Sequence, residues 1–193
     1  MNSHHTQKIH IAIYGTLHYD MHHSSESIEK AIRLGEDLAK KGIIVHIPTF
    51  PGFPFWVAKG AQKAGGFVIG FSPAANEEEH VKIYKLPLKY TDTVIYSGFG
   101  FAGSDLLLSR SSDAIIFGYG GIETVHEFWV AFQEDKPIGI LKGDWDNEGV
   151  LFQLIQKDPQ FDANKILFSE HTSQLVDQLV KKAKIHKVKD FHF

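Results

Sequence analysis

Asp113-Ala-Ile-Ile-Phe-Gly-Tyr-Gly-Gly-Ile-Glu-Thr-Val-His-Glu127 is the stretch on which the reading of this sequence turns. Residues 113–117 are a short, mostly apolar and β-branched run, which suits a strand. Gly118, Gly120 and Gly121 then form a loop that lets backbone approach a ligand closely. Helical spacing follows from about residue 122 to 134. A helix opening directly from such a loop presents unsatisfied N–H groups and the positive end of its dipole, so an anion can sit there. Thr124 can add a hydroxyl. On its own, a glycine pair before a helix has two readings, a ligand cradle and a plain tight turn.

The same alternation repeats outward. Strands are expected at 9–14, 43–47, 67–71, 93–96, 113–117 and 137–141. Helices are expected at 25–41, 53–64, 104–112, 122–134, 147–157 and 172–184, with the short apolar Ile166-Leu167-Phe168 between the last two. Ser25 and Ser27 are candidate N-caps, and Gly42 stands where a C-terminal cap belongs. Residues 74–92 read as a polar excursion over the surface, and 187–193 as a fraying end. The strand runs are apolar throughout rather than alternating, so both faces should be buried. The fold class is therefore α/β: a doubly wound, mostly parallel sheet with helices on both faces and right-handed crossovers. No repeat, low-complexity stretch or internal linker interrupts it, so residues 1–193 are expected to form a single domain.

Ligands in such sheets lie beyond the carboxyl ends of the strands. That rule selects four loops rich in glycine or turn residues: Gly15-Thr16, residues 49–52 ending at Gly52, residues 97–103 with Gly98 and Gly100, and residues 118–121.

Composition removes several classes. With no cysteine, disulfides, thiolate metal sites and a cysteine nucleophile are excluded. A net charge of −3 argues against the basic stripe of a nucleic-acid binder. No apolar run approaches the roughly 18 residues of a membrane span. The first eight residues are polar and are followed by too few apolar ones for a signal peptide. A soluble cytoplasmic protein without nucleic-acid or membrane partners is expected.

Gly120-Gly121-Ile122-Glu123-Thr124-Val125-His126-Glu127 resembles the Pro-Gly-Gly-x-Gly-Thr-x-x-Glu motif of the LOG ("lonely guy", or lysine decarboxylase-like) family. The wider group includes molybdenum-cofactor carrier-like proteins. Three further segments are similar in order and spacing: Gly15-Thr16 after the first strand, residues 59–70 with their Ala-Gly-Gly turn, and Ser97-Gly98-Phe99-Gly100. The resemblance implies a Rossmann-like fold, homodimers or larger assemblies, and a site for a nucleotide-like small molecule. It carries Glu127 over as the catalytic or ribose-binding carboxylate.

The departures from the pattern concern charge. Ser104 and Asp105 stand where the family places Arg-Asn or Arg-Lys, and no Arg or Lys lies between Thr91 and Ser109. The second glycine loop is Pro48-Thr49-Phe50-Pro51-Gly52, and the last glycine of the main motif is Glu123. Together these make the pocket more acidic by about three units, and unit charges 4 Å apart interact by about 4 kcal/mol at an effective dielectric of 20. Glu123 has a structural reading as a first-turn residue that complements the helix dipole. It also has functional readings: ribose acceptor, metal ligand or general base. Glu123 and Glu127 are four apart, hence on one helix face, where two carboxylates could divide acid and base roles at an N-glycosidic bond.

His18 and His22, with Asp20, have spacing that could hold a metal, although turn geometry accounts for them equally well. No metal or cofactor is assigned. His126 reads as a surface residue of its helix. Phe50, Phe99 and Tyr119 lie at strand ends where they could stack on a base, whereas core or interface packing is expected for Phe55, Trp56 and Trp129. The candidate ligand-binding set is Gly15, Thr16, Gly52, Gly98, Gly100, Ser104, Asp105, Gly118, Gly120, Gly121 and Thr124, with Glu127 and Glu123 as candidate catalytic groups. Three functions remain open: a LOG-like nucleotide or small-ligand binder with a degenerate phosphoribohydrolase motif, an N-glycosidic hydrolase of nucleoside monophosphates using Glu127, and a non-catalytic carrier or assembly protein.

Overall fold

A computed structural model describes residues 8–16, 25–118, 123–143 and 166–189. Seven strands are found: β1 (His10–Tyr14), β2 (Ile44–Pro48), β3 (Phe67–Ser72), β4 (Thr93–Tyr96), β5 (Ala114–Phe117), β6 (Ile138–Leu141) and β7 (Ile166–Ser169). The helices among the described residues are α1 (Ser25–Lys40), α2 (Phe53–Lys63), α3 (Glu77–Lys82), α4 (Gly100–Arg110), α5 (Glu123–Gln133) and α6 (Thr172–Lys189). All strand pairs are parallel, in the order β4-β3-β2-β1-β5-β6-β7. The chain winds outward from β1 to β4, then returns to the other side of β1 with β5. The winding direction therefore switches between β1 and β5, and a crevice opens there at the carboxyl edge.

Helices cover both faces. One face packs Ile11, Ile13 and Ile116 against Leu34 and Leu38 of α1, Val57 and Ala61 of α2, and Leu175 and Leu179 of α6. The other packs Tyr14, Ile115 and Phe117 against Leu108 of α4 and Phe128 and Ala131 of α5. Helices α1 and α2 touch backbone to backbone, since a Cβ at Gly35 would lie 1.9 Å from the Val57 carbonyl oxygen. Such an approach needs glycine, and it pins α2 over the β1–β2 half of the sheet.

Five expectations change. Ile166-Leu167-Phe168 belongs to a seventh strand, at the sheet edge. Strand β4 is the opposite edge and is not buried on both faces: Thr93 and Ile95 are exposed. The helix expected from 104 starts at Gly100, and the C-terminal helix continues to Lys189 instead of fraying at 187. The polar excursion contains α3, capped by Asn76, whose side chain accepts from the Glu79 amide. Beneath it His80 is fully buried, accepting from Ser72 Oγ at 2.8 Å through Nδ1 and donating from Nε2 to the Pro87 carbonyl. The expected helix at 147–157 and the histidines at 18, 22 and 23 lie outside the described residues. No described helix is long and apolar enough to cross a membrane.

Candidate functional site

The crevice between β1 and β5 is built first by two paired aromatic residues. Tyr14 and Phe117 are register partners at the strand ends and stack with centroids 5.7 Å apart. The Tyr14 hydroxyl crosses to α4, donating to the Asp105 carbonyl at 3.0 Å and accepting from Ser109 Oγ at 2.9 Å. This tether holds the middle of α4 over the crevice. Burial and the Asp105 charge push the Tyr14 pKa well above its ordinary value, so the hydroxyl stays protonated and remains a donor.

Asp105 then meets Glu127, one turn into α5. Glu127 is 7% exposed, and Thr124 on the same helix is buried. Burial raises the Asp105 pKa, the Glu127 charge raises it further, and His126 opposes them; the result is about 7. The crevice thus holds a carboxyl moved towards neutral pH by burial and by the charge of Glu127, beside a protonated phenol. Such a site accepts N–H and O–H donors and repels anions.

The expected carboxylate pair was Glu123 with Glu127. The side chain of Glu123 lies outside the described residues, as do Tyr119, Gly120 and Gly121. The carboxyl that feels the charge of Glu127 is Asp105 of α4. Ser104 is buried beside Asp105. The only two arginines in the sequence face away: Arg33 pairs with Glu29 and Arg110 with Glu134.

The loops around the crevice are tied to one another. Thr16 is buried, and its carbonyl accepts the Phe53 amide at 3.0 Å. Gly15 and Gly52 are also buried. Gly52 has φ 109°, a conformation open to glycine alone, and it starts α2 with Pro54 in the first turn. Since Phe53 spends its N–H on Thr16 and Pro54 has none, two donors that a phosphate would use at this helix start are missing. The Phe53 ring covers Gly118; a Cβ there would fall 2.2 Å from its Cζ atom. Gly98 and Gly100 donate their amides to the carbonyls of Ala74 and Pro73 at 2.9 and 3.1 Å. These two amides fasten the start of α4 to the end of β3.

An aromatic group gathers at the start of α4. Phe101, in the first turn of α4, lies 5.4 Å from Phe50 and 5.5 Å edge-on from Tyr84. Phe101 is 54% exposed and Phe99 76%. Phe55 is buried as expected, whereas Trp129 is 44% exposed on the outer side of α5 and is not part of the core. His126 is exposed, as expected. Tyr14 and the Asp105–Glu127 pairing were not anticipated. Tyr14 was signalled only by a phenol ending an apolar strand just before Gly15. Among the described residues no group of three or more His, Asp or Glu is placed to hold a metal.

The sequence matches the family model of the SLOG cluster4 family over residues 8–184. An uncharacterized protein of Archaeoglobus fulgidus is 31% identical over 117 residues, 61% of this chain and 72% of that one. Among solved structures, the protein designated TM1055 has a similar fold with a TM-score of 0.74 and 21% identity, covering 90% of this chain and 99% of that one. The molybdenum cofactor carrier protein of Chlamydomonas reinhardtii reaches 0.71 at 22% identity, covering 93% and 99%. DNA processing protein A of Helicobacter pylori, described with a single-stranded DNA binding mode, reaches 0.65 at 17%, covering 90% and 81%. At these identities the solved structures establish the Rossmann-like fold. The family match extends over nearly the whole described sheet and its crevice, and the chain belongs to the SLOG cluster4 family.

Proposed function

We propose that this chain is a LOG-like binding protein. Its crevice between β1 and β5 takes a nucleotide or related small molecule and lacks ordinary phosphoribohydrolase chemistry. The observation that carries this reading is the Asp105–Glu127 carboxylate pair at the switch point, where the family pattern has a cation. Membership of the family and the fold shared with a cofactor carrier support a small-molecule ligand. The chain acts as one cytoplasmic domain. The exposed Phe99, Leu106, Leu107 and Trp129 suit a homodimer surface or another assembly contact, and the acidic balance disfavours nucleic acid. A thermal-shift panel of nucleosides and nucleotides tests the reading, because a ligand selective for the folded state raises its melting temperature. No shift with any of them removes it and favours the assembly role.

One observation favours hydrolysis as a second reading. Asp105, held near pH 7, could donate a proton to a leaving base while Glu127 orients water at the sugar carbon. Incubation with nucleoside monophosphates and chromatography for free base decides between the two. Release that Glu127→Gln abolishes in a folded protein would establish hydrolysis.

A further inference from the structure

Two of the four glycine or turn loops at the carboxyl edge are occupied by the protein itself. At the start of α2 the Phe53 amide serves Thr16, and Pro54 carries no donor. In the loop before α4 the Gly98 and Gly100 amides serve Ala74 and Pro73. Both arginines are paired on the outside. On α4 and α5, Asp105 and Glu127 are close enough for the charge of Glu127 to act on Asp105.

Phe101 and Asp105 are four residues apart on α4, so they follow one another along a single face of the helix. Phe101 is flanked by Phe50 and Tyr84 and is half exposed; one turn on, the Asp105 carbonyl accepts from the Tyr14 hydroxyl, and the Asp105 carboxyl feels the charge of Glu127. Along this face the order is a flat apolar wall followed by a carboxyl acceptor. A planar ring bearing N–H groups, joined to a hydroxylated sugar, matches that order. The ring can pack on the aromatic wall, and the N–H or sugar O–H groups can donate to the carboxylates.

Resting on the binding role proposed above, we infer that the crevice selects an unphosphorylated, nucleoside-like ligand over its 5′-monophosphate, with Phe101 as stacking wall and Asp105 and Glu127 as the acceptors that exclude phosphate. The inference reverses the preference expected of a phosphate-cradling glycine loop.

Isothermal titration of the full chain at pH 8 with adenosine, AMP, guanosine and GMP tests it. At least one nucleoside should bind tenfold or more tightly than its own monophosphate. Asp105→Asn should shrink that ratio several-fold, and Phe101→Ala should weaken the nucleoside several-fold. A monophosphate binding as tightly as its nucleoside, or more so, overturns the inference while leaving the binding role standing. Binding by none of the four compounds removes the binding role and the inference together. A nucleoside preference unchanged in both Asp105→Asn and Glu127→Gln removes the carboxylates as its cause. Full nucleoside affinity in Phe101→Ala removes the stacking wall.

Discussion

Asp105 and Glu127 stand on different helices, yet the charge of Glu127 adds to burial in lifting Asp105 to about 7. The pair is therefore a stored electrostatic cost at the crevice, and removing one charge should stabilise the fold. A carboxyl whose folded pKa lies above its ordinary 3.8 weakens the fold progressively as pH rises from about 4 to 7.

Asp105→Asn should accordingly gain stability over the parent at pH 8, by about 2–4 kcal/mol. The gain should become small at pH 4, where the folded acid is protonated and the unfolded one about half so, and should vanish below the unfolded value of 3.8. Urea denaturation at the two pH values measures this. A gain that does not vary with pH would show that Asp105 is not held near 7.

His46 has the opposite sign. It lies buried in β2; its Nδ1 donates to Ser112 Oγ at 3.0 Å and its Nε2 accepts from His10 Nδ1 at 2.8 Å. Ser112 has already given its proton to the Leu108 carbonyl, so the chain of donors has one direction. A proton added to His46 would set N–H against N–H. Burial and the His10 charge lower its pKa to about 3. A histidine with a depressed folded pKa costs stability as pH falls below about 6.5, up to about 5 kcal/mol near pH 3. His10 and His80, both lowered by burial, act in the same direction.

The Asp105 and His46 effects overlap between pH 4 and 6.5 and oppose each other. The parent's stability should therefore vary less across that window than that of either variant. Asp105→Asn should expose a steeper acid loss. His46→Asn should be weaker at pH 7 and should gain stability as pH falls from 6.5 towards 4, because the Asp105 effect is then unopposed. Parallel stability curves for the three proteins would contradict this.

Gly118→Ala should destabilise by about 1–3 kcal/mol, because its methyl would enter the space of the Phe53 ring. Phe53→Leu in the same background should recover part of that loss, giving a coupling energy in a double-mutant cycle. Strictly additive losses would mean that the two positions do not touch.

Gly35→Ala should cost more, about 3 kcal/mol or above, since the obstacle at 1.9 Å is the Val57 carbonyl of α2 and cannot rotate away. A melting temperature within a degree or two of the parent would refute the close helix crossing.

Much of the fold was legible because its strands are mostly apolar runs and its first two helices end on glycine. Gly42 and Gly65, both at positive φ, terminate α1 and α2 as read. The edges were less legible. Strand β7 is four residues long, and the glycines at 98 and 100 masked where α4 begins. In the site, Glu127 and Asp105 could be marked singly, but their encounter could not, because local spacing relates residues on one helix and not on two. The i, i+4 rule pointed to Glu123 instead. His46 and His80 were passed over because a buried histidine becomes visible only when its hydrogen-bond partners come from distant segments.

The β1–β5 pairing joins Ile11 to Ala114, while β1 to β4 lie side by side in the order of synthesis. A chain emerging from the ribosome can assemble that first half-sheet early, but nothing can close over the crevice until more than half of the protein has been made. Ligand competence is thus a late event in biogenesis, and truncated chains ending before β5 should be able to collapse without gaining any affinity for the small molecule.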